Sequence, residues 1–452
     1  MGSYRRLPLQ RYFRSLAKCG ISLTVDTLIH NIFFALGALL FCGFWFERLL
    51  QFLKMPSLVG YILAGFILGP NVCNLVPHKM APALGTINEV ALGLLALRIG
   101  AEFTLDKVRK AGMKLLSVMV IQALLTLGLL STIFYITGLF NLSAALLLGA
   151  LATVSTLSIA ERTAKEPDCK GNSIAAISGM VGLEEIFSIL LFSIIFTMAG
   201  LWQSEGIEAI AGLIPGCARE ILFSFILAAF SAWLINYRWQ EEQEEKGILV
   251  KALGVFLLTY AVVRIYHLSI PLTFLFLGLV FVNISKVEEL IDKNTLQNIE
   301  ILLLTLFFVF AGLGIKLNKF LGMVTLVISI IFILFRTVSI LLGTYLCSLL
   351  LGVAPEIRKS LGRSFLPQAR VVVGLALLIK YTPQMHKIAS PIMTSGAFLS
   401  LIVNIALISV LFNEIFGPVL IRRALRKVSQ ESRNDEDKGD SIEEAVILDA
   451  SS

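Results

Sequence analysis

The sequence predicts an all-α polytopic membrane protein that crosses the bilayer about thirteen times. Its 452 residues are 57% hydrophobic and only 15% charged, whereas soluble domains average roughly 25% charged residues. The apolar residues are gathered in stretches of about 20 that carry few charges, which is the length a helix needs to span a bilayer. This composition excludes a soluble enzyme. The net charge of +7 is not gathered on a soluble module, so nucleic-acid binding is not indicated.

Apolar stretches joined by short connections are expected to form the spans of one transmembrane domain, residues 29–427. The six cysteines are scattered, and neither a metal site nor a cofactor is indicated. In chain order the predicted spans are 29–48, 57–75, 86–104, 113–138, 142–162, 173–200, 217–237, 247–267, 269–285, 299–316, 320–351, 358–381 and 389–420.

The two ends of the chain have opposite charge. Residues 1–28 are basic, with five cations and no acidic residue within 1–25, which predicts either an interfacial helix or an organellar targeting segment. Residues 428–452 carry eight acidic and two basic residues. With so few apolar residues, this tail is expected to be disordered.

Basic loops predict the orientation, because Lys and Arg in short loops favour the cytoplasmic side. With thirteen spans, the basic loops fall on one side, which places the C-terminus in the cytoplasm and the N-terminus outside. The basic residues of 1–25 argue against this orientation. The loops concerned follow the third and last spans and open the twelfth: Lys107, Arg109, Lys110, Lys114, Arg358, Lys359, Arg363, Arg422, Arg423, Arg426 and Lys427.

Two adjacent glutamates, Glu184 and Glu185, lie in the sixth span within MVGLEEIFSILLF. A carboxylate at mid-membrane costs several kcal/mol unless it is paired, hydrated or protonated. Two carboxylates this close together cannot both be ionised without a large cost in free energy, so the pair is expected to bind a proton or a small cation. The two ligands would exclude each other, which is what an exchanger requires. The alternative is a salt bridge that only holds helices together.

A few other charged residues fall inside spans. Arg336 is the charged residue of the eleventh span. Because a guanidinium stays charged when it is buried, Arg336 needs a nearby anion. Glu184 is the expected partner. A purely structural pairing is an equal alternative. Arg370 in the twelfth span is a second candidate charge partner, and secondary candidates are Glu102 in the third span, Gln368 in the twelfth and Glu414 in the thirteenth.

The fifth and twelfth spans carry signs of interruption. Thr153, Ser155 and Thr156 lie mid-span in the fifth, and Pro367 and Gln368 lie mid-span in the twelfth. Hydroxyls satisfy freed backbone groups, and proline removes a backbone donor. Interrupted helices in matching positions of two inverted repeats direct half-helix ends at an ion in many transporters. For the fifth span, simple packing of hydroxyl residues is the alternative.

Several segments resemble one known family. MPSLVGYILAGFILGPNV and LGLLALRIGAEFTLDKVRK resemble the opening of the monovalent cation:proton antiporter superfamily, in particular the CPA2-type sodium/hydrogen exchangers. ALATVSTLSI and VGLEEIFSILLFSI are similar to its fifth and sixth helices, and later segments are LFFVFAGLGIKL, FLPQARVVVGLALL and NEIFGPVLIRRALRKV. The resemblance covers about residues 30–427.

The resemblance implies a fold and an assembly. The family fold has thirteen spans in two inverted repeats with interrupted crossing helices. Helices four to six and eleven to thirteen would form a core that moves, in the manner of an elevator, against a dimerisation domain of helices one to three and eight to ten. A homodimer is implied as well.

The resemblance also implies residue roles. Glu185 would carry the cation and the proton, and Glu184 would pair with Arg336. Thr153 matches the threonine of the interrupted fifth helix, and Thr153 and Ser155 would help to bind the cation. Ser155 stands where the family often has proline, and Arg370 where it commonly has glycine, so Arg370 would add a second positive charge near the site.

The sequence therefore predicts a secondary antiporter, and not an enzyme, that exchanges Na⁺, Li⁺ or K⁺ for H⁺. Its partners are these ions, the lipid bilayer and a second copy of the chain. It is expected in the plasma or inner membrane, with an organellar membrane as the alternative. Two rival hypotheses remain: a transport-inactive scaffold in which Arg336 and Arg370 neutralise both glutamates, and a cation channel or efflux pathway.

Overall fold

The structure is a computed structural model, and regular structure in its described residues is helical. The one β-type feature there is an isolated antiparallel bridge between Ser155 and Gln368. The described residues are 31–53, 56–69, 72–76, 81–101, 113–156, 172–205, 209–237, 245–284, 305–315, 322–353, 355–368, 371–382, 385 and 395–450.

The helices lie at the predicted spans, but the second and fifth end early, the twelfth is divided in two, and the last extends further. We number them in chain order. They are α1 (Ile32–Phe52), α2 (Ser57–Leu68), α3 (Ala81–Ala101), α4 (Met113–Ile136), α5 (Leu142–Thr153), α6 (Asn172–Glu205), α7 (Ala209–Asn236), α8 (Glu245–Ile265), α9 (Ile270–Ile284), α10 (305–313), α11 (Met323–Leu350), α12 (Pro355–Ser364), α13 (Val371–Tyr381) and α14 (Ser395–Ala450).

The exposed residues of α11 are apolar, and its polar residues lie on the buried face together with Phe332 and Ile340. Ser329, Arg336 and Ser339 are buried, whereas Ile330 and Leu334 are exposed. This is the reverse of a helix on a soluble protein and suits a lipid environment. By length and composition, six stretches of the described helices can cross a membrane: Phe33–Phe52, Met113–Ile136, Ile177–Gly200, Pro215–Asn236, Met323–Leu350 and Ser395–Arg426.

The described residues form two compact units. The first contains α1, α2, the part of α3 up to Ala91, and α10. Its helices pack closely at glycines: a Cβ added at Gly65 would lie 1.8 Å from the carbonyl oxygen of Val309. Small residues that let backbones approach are the usual means of packing helices in a membrane.

The second unit holds α3 from Leu92 onward, α4 to α9 and α11 to α14. A Cβ added at Gly278 on α9 would lie 2.0 Å from the carbonyl oxygen of Leu97 on α3. This contact joins α9 to the part of α3 that belongs to the same unit. The expected division into a moving core and a dimerisation domain stays a prediction. The inverted repeats and the homodimer stay predictions.

The C-terminal helix is longer than expected. α14 continues to Ala450, whereas the sequence predicts disorder for residues 428–452. The segment contains no proline and one glycine, and its Glu, Lys, Arg and Ala residues favour helix, so an extension of the preceding helix is compatible with its composition. The basic segment 1–28 lies outside the described residues.

Candidate ion-binding site

Two interrupted helices of the second unit meet at the site. α5 ends at Thr153, and the chain continues in an extended conformation at Val154. α12 ends at Ser364, and α13 begins at Val371. Between these ends Ser155 forms the antiparallel bridge with Gln368, and the backbone N–H of Thr156 donates to the carbonyl of Pro367 over 3.1 Å. The predicted interruptions of the fifth and twelfth spans are therefore present.

Gln368, in the break between α12 and α13, bonds to two further helices at this crossing. Its side-chain amide donates to the carbonyl of Leu151 on α5 over 3.0 Å. The hydroxyl of Ser409 on α14 donates to the Gln368 Oε1. Backbone groups freed by a helix break must find partners within the protein when they lie in a membrane. Gln368, a secondary candidate, thus satisfies the end of α5 and is itself held by α14.

Arg336 bonds to the ends of both interrupted helices. The side chain is 1% exposed, and its Nε donates to the carbonyl of Ala152 over 2.9 Å. One terminal nitrogen donates to the carbonyl of Val154 over 3.2 Å, and the other donates to the carbonyl of Leu366. The C-terminal end of a helix carries about half a negative charge. The guanidinium therefore lies where two negative helix ends converge.

The sequence predicts an ion pair between Arg336 and Glu184, and the structure shows a different bonding of the guanidinium. The two side chains interact electrostatically, but the hydrogen bonds of the guanidinium in the described part of the chain go to the three backbone carbonyls. The sequence could not indicate this, because Ala152 and Arg336 are 184 residues apart.

Glu184 is fully buried beside the end of α5. Its side chain is 0% exposed, and the Ser155 hydroxyl donates to its Oε2 over 2.6 Å. The other oxygen, Oε1, has no hydrogen-bond partner among the residues that the structure describes. A buried polar atom without a partner costs about 1–3 kcal/mol, and more when it is charged. A proton or a cation that bound at Oε1 would therefore remove this free-energy cost.

The neighbouring predicted residues lie close by. Glu185 is 6% exposed and follows Glu184 on α6. The hydroxyl of Thr153 donates to the carbonyl of Ala150 in its own helix over 2.8 Å. The carbonyl of Thr153 accepts from the hydroxyl of Ser188 on α6 over 3.1 Å. Ser188 thus fastens the glutamate-bearing helix to the end of α5.

The remaining candidate residues are not placed at the site around Glu184 by the described residues. Glu414 is half-buried on α14, further along that helix than Ser409. Glu102 and Arg370 lie outside the described residues, so the structure does not place them.

Sequence reasoning missed two kinds of residue. Ser409 and Ser188 are common residue types that become informative only once their partners are known. Glu220 on α7 is a missed carboxylate: the Thr197 hydroxyl donates to its Oε2 over 2.7 Å, and the backbone N–H of Ser269 also bonds to it. Glu220 was overlooked because it lies near the start of the predicted seventh span. A carboxylate inside an apolar helix would have been sufficient reason to name it as a candidate.

Interrupted helices that meet at buried acidic residues, within a bundle whose exposed faces are apolar, define a class: helical membrane proteins that transport ions. The family model described as "Sodium/hydrogen exchanger, transmembrane" matches residues 34–427. The chain belongs to this family of transporters and is an integral, multi-pass membrane protein.

Solved structures agree with this fold. The chain is similar to the sodium proton antiporter MjNhaP1 from Methanocaldococcus jannaschii at pH 8, with a TM-score of 0.66 and 18% sequence identity over 87% of this chain and 98% of that one. An electron-microscopy structure of the same antiporter gives a TM-score of 0.63 and 16% identity over 88% and 98% of the two chains. No curated protein sequence matches significantly.

Proposed function

We propose that this protein is a secondary antiporter that exchanges a monovalent cation, Na⁺, Li⁺ or K⁺, for protons through Glu184 and Glu185. Family membership supports cation:proton exchange as the general reaction. The observation that carries the residue assignment is the buried Glu184 carboxylate at the meeting point of two interrupted helices. Within the described part of the chain, its Oε1 has no hydrogen-bond partner.

The charges around the site support a mobile counterion. The two helix ends that bond to Arg336 carry about −0.5 each, so together they offset the single positive charge of its guanidinium. The Glu184 carboxylate then gains from positive charge supplied by solution, because burying an uncompensated charge in a membrane is costly. A proton or a partly dehydrated cation supplies it, and either one excludes the other.

The proposed cycle follows from this competition. Glu185 releases its proton on one side and binds a cation; the loaded site is then exposed to the other side, where a proton displaces the cation. If Glu184 also exchanges a proton, transport is electrogenic; if it does not, exchange is one for one. Movement of a core in the manner of an elevator, within a homodimer, is the form of alternating access that we expect.

Flux measurements on the purified full-length chain in proteoliposomes test this proposal. An internal pH dye would report the response to external NaCl, LiCl, KCl and choline chloride. We expect at least one of the three metal cations to move protons, choline to move none, and Glu185→Gln to abolish the response. Glu47→Gln is the matched control, because Glu47 lies on α1 and bonds to Gln51 over 2.8 Å.

The rival hypotheses correspond to other outcomes of the same assay. A wild-type protein that is silent with all three cations would favour the scaffold and contradict the proposal. Cation flux that persists without proton movement would favour the channel. Retention of exchange in Glu185→Gln, with Glu184→Gln inactive, would reassign the carrier within the pair.

A further inference from the structure

Glu220 joins three helices of the second unit. It lies on α7, and its Oε2 accepts from the hydroxyl of Thr197 on α6 over 2.7 Å. The backbone N–H of Ser269, immediately before α9, also donates to the carboxylate. A carboxylate inside a membrane helix is costly unless its charge is compensated, so Glu220 needs a source of positive charge.

The groups described around Glu220 compensate only part of its negative charge. The start of α9 carries about half a positive charge. Arg219 interacts electrostatically with Glu220, but its side chain is exposed, where water and salt screen its charge. Neighbouring residues of a helix also point about 100° apart. A net negative charge of about one half therefore stays on the carboxylate, and a cation from solution would compensate it.

Two serine hydroxyls beside Glu220 have no hydrogen-bond partner in the described part of the chain: Ser224 Oγ and Ser269 Oγ. Both side chains are buried, with 0% and 5% of their surface exposed. Ser269 is held at the carboxylate by its own backbone N–H, and Ser224 lies one turn from Glu220 on the same face of α7. Buried polar atoms that the protein leaves unpaired commonly bind an ordered water or an ion.

The packing of α7 against α9 places both hydroxyls between these helices. Glu220 bonds to Ser269, and further along both helices the rings of Phe225 and Phe276 meet with centroids 5.6 Å apart, so the two helices run parallel. At 100° per residue, Ser224 lies about 40° from Glu220 and about 100° from Phe225 around α7. It therefore lies between two residues that both contact α9, on the side that faces Ser269.

The Thr197 hydroxyl can supply a third oxygen. It lies within hydrogen-bonding distance of two acceptors, Glu220 Oε2 and the carbonyl of Ser193, which is 3.0 Å away. A hydroxyl has one hydrogen, so it donates fully to only one of them. When the hydrogen is directed to Ser193, the lone pairs of the Thr197 oxygen are available to a cation bound at Glu220.

This set of oxygens fits a monovalent cation. Carboxylate and hydroxyl oxygens are hard ligands, which hard cations prefer. A single positive charge balances the single carboxylate, whereas a divalent ion would leave excess positive charge beside the start of α9. Groups of three or more His, Cys, Asp or Glu residues are absent from the described residues, which argues against a transition-metal site there.

The cluster around Glu220 is separate from the site at Glu184. Thr197 and Glu184 are 13 residues apart on α6, which is about 20 Å along the helix axis and about 140° around it. Glu220 is half-buried and lies near the start of the apolar stretch Pro215–Asn236, so solution can reach it. Residues 201–218 at this end contain no Lys or Arg, and the positive-inside rule therefore predicts the non-cytoplasmic side.

We propose a second binding site for a monovalent metal cation, Na⁺, Li⁺ or K⁺, formed by Thr197, Glu220, Ser224 and Ser269. The cation is bound by the Glu220 carboxylate and by the hydroxyl oxygens of the other three residues. The site goes beyond the proposed function, because its occupancy requires neither exchange nor the Glu184 carboxylate.

Thermal unfolding of the full-length Glu184→Gln/Glu185→Gln protein in detergent tests for this site, because this parent variant lacks the proposed transport site. Melting temperatures are compared in NaCl, LiCl, KCl and choline chloride at equal ionic strength. A ligand that binds only the folded state stabilises it. At ten times the dissociation constant, we expect at least one metal cation to raise the melting temperature by about 2–4 °C over choline. Adding Glu220→Gln should remove this difference.

Ser224→Ala and Ser231→Ala form a matched pair in the same parent variant. Both serines are buried on α7, but the Ser231 hydroxyl is bonded to that of Thr259 on α8 over 2.8 Å. We expect Ser224→Ala to reduce the cation-dependent rise in melting temperature and Ser231→Ala to retain it.

Equal melting temperatures of the parent variant in all four salts would overturn the proposal and would mean that water alone occupies the cluster. A rise that survives Glu220→Gln would overturn it as well. If the parent variant does not fold, equilibrium dialysis of radioactive Na⁺, or of Rb⁺ as an analogue of K⁺, replaces it. The number of ions bound per wild-type chain should fall by one in Glu220→Gln, and an unchanged number would refute the site. No step requires transport, so failure of the proposed function leaves this result standing.

Discussion

Replacing Arg336 by glutamine should weaken the protein where its two interrupted helices meet. Arg336 donates to the carbonyls of Ala152, Val154 and Leu366. Hydrogen bonds from a charged group contribute roughly 1.5–3 kcal/mol each, and a buried carbonyl left without its donor costs about 1–3 kcal/mol. We therefore expect Arg336→Gln to lower the free energy of unfolding by about 3–5 kcal/mol, which thermal unfolding in detergent, followed by tryptophan fluorescence, would detect.

A double-mutant cycle separates the two things that Arg336 does. If its main role is to hold the backbone of the two breaks, Arg336→Gln combined with Glu184→Gln should stay destabilised by most of the single-variant loss, because the three carbonyls remain unsatisfied. If its main role is to balance the charge of Glu184, neutralising both residues should restore stability. Recovery to the wild-type melting temperature would refute our reasoning.

Arg358→Gln provides the matched control for this cycle. Arg358 is half-buried on α12 and donates to the carbonyl of Val353 over 2.8 Å. It does not join the ends of two helices, so we expect its replacement to cost about 1 kcal/mol or less, as for a single partly exposed hydrogen bond. A loss as large as that of Arg336→Gln would mean that any buried arginine is equally important here.

Ser155→Ala removes the hydroxyl that donates to Glu184 over 2.6 Å. The charged carboxylate then loses about 1 kcal/mol of stabilisation. We therefore expect the pH profile of exchange in proteoliposomes to move toward alkaline pH by up to about 1 unit. Gly65→Ala would place a Cβ 1.8 Å from the Val309 carbonyl oxygen, so we expect a marked fall in melting temperature. Gly37→Ala, where nothing lies within 4 Å, should instead be neutral or stabilise the helix by up to about 1 kcal/mol.

Controls and contrary outcomes differ for these variants. Ser193→Ala is the control for Ser155→Ala, because Ser193 is also buried but donates to its own helix, to the carbonyl of Ile189 over 2.9 Å. An unchanged pH profile in Ser155→Ala would show that Glu184 does not set that profile. Equal melting temperatures for Gly65→Ala and Gly37→Ala would contradict the close packing of α2 against α10.

The fold was predictable because its main signal is local. Runs of apolar residues of membrane length define helices without reference to distant partners, and Pro367 marks the break between α12 and α13. The break after Thr153 has no proline. It could be expected only from mid-span hydroxyls and from the resemblance of ALATVSTLSI to a known fifth helix.

The partners of buried polar groups were not predictable, because they are set by long-range packing. Arg336 suggested a carboxylate as partner, since opposite charges attract, but its donors reach backbone carbonyls that become available only where helices break. Ser409 could not be distinguished from any other serine of a membrane helix until its bond to Gln368 was seen. In each case the residue type showed that a partner was needed, and the fold determined which one.

The bonding of Arg336 bears directly on the choice between an exchanger and a scaffold. A scaffold would neutralise its glutamates permanently, and Arg336 was the buried cation expected to do so for Glu184. Its guanidinium is instead hydrogen-bonded to two helix ends, whose combined partial charge of about −1 offsets its own. Under the proposed function, the Glu184 carboxylate can then bind a ligand that leaves, as alternation between H⁺ and a metal cation requires.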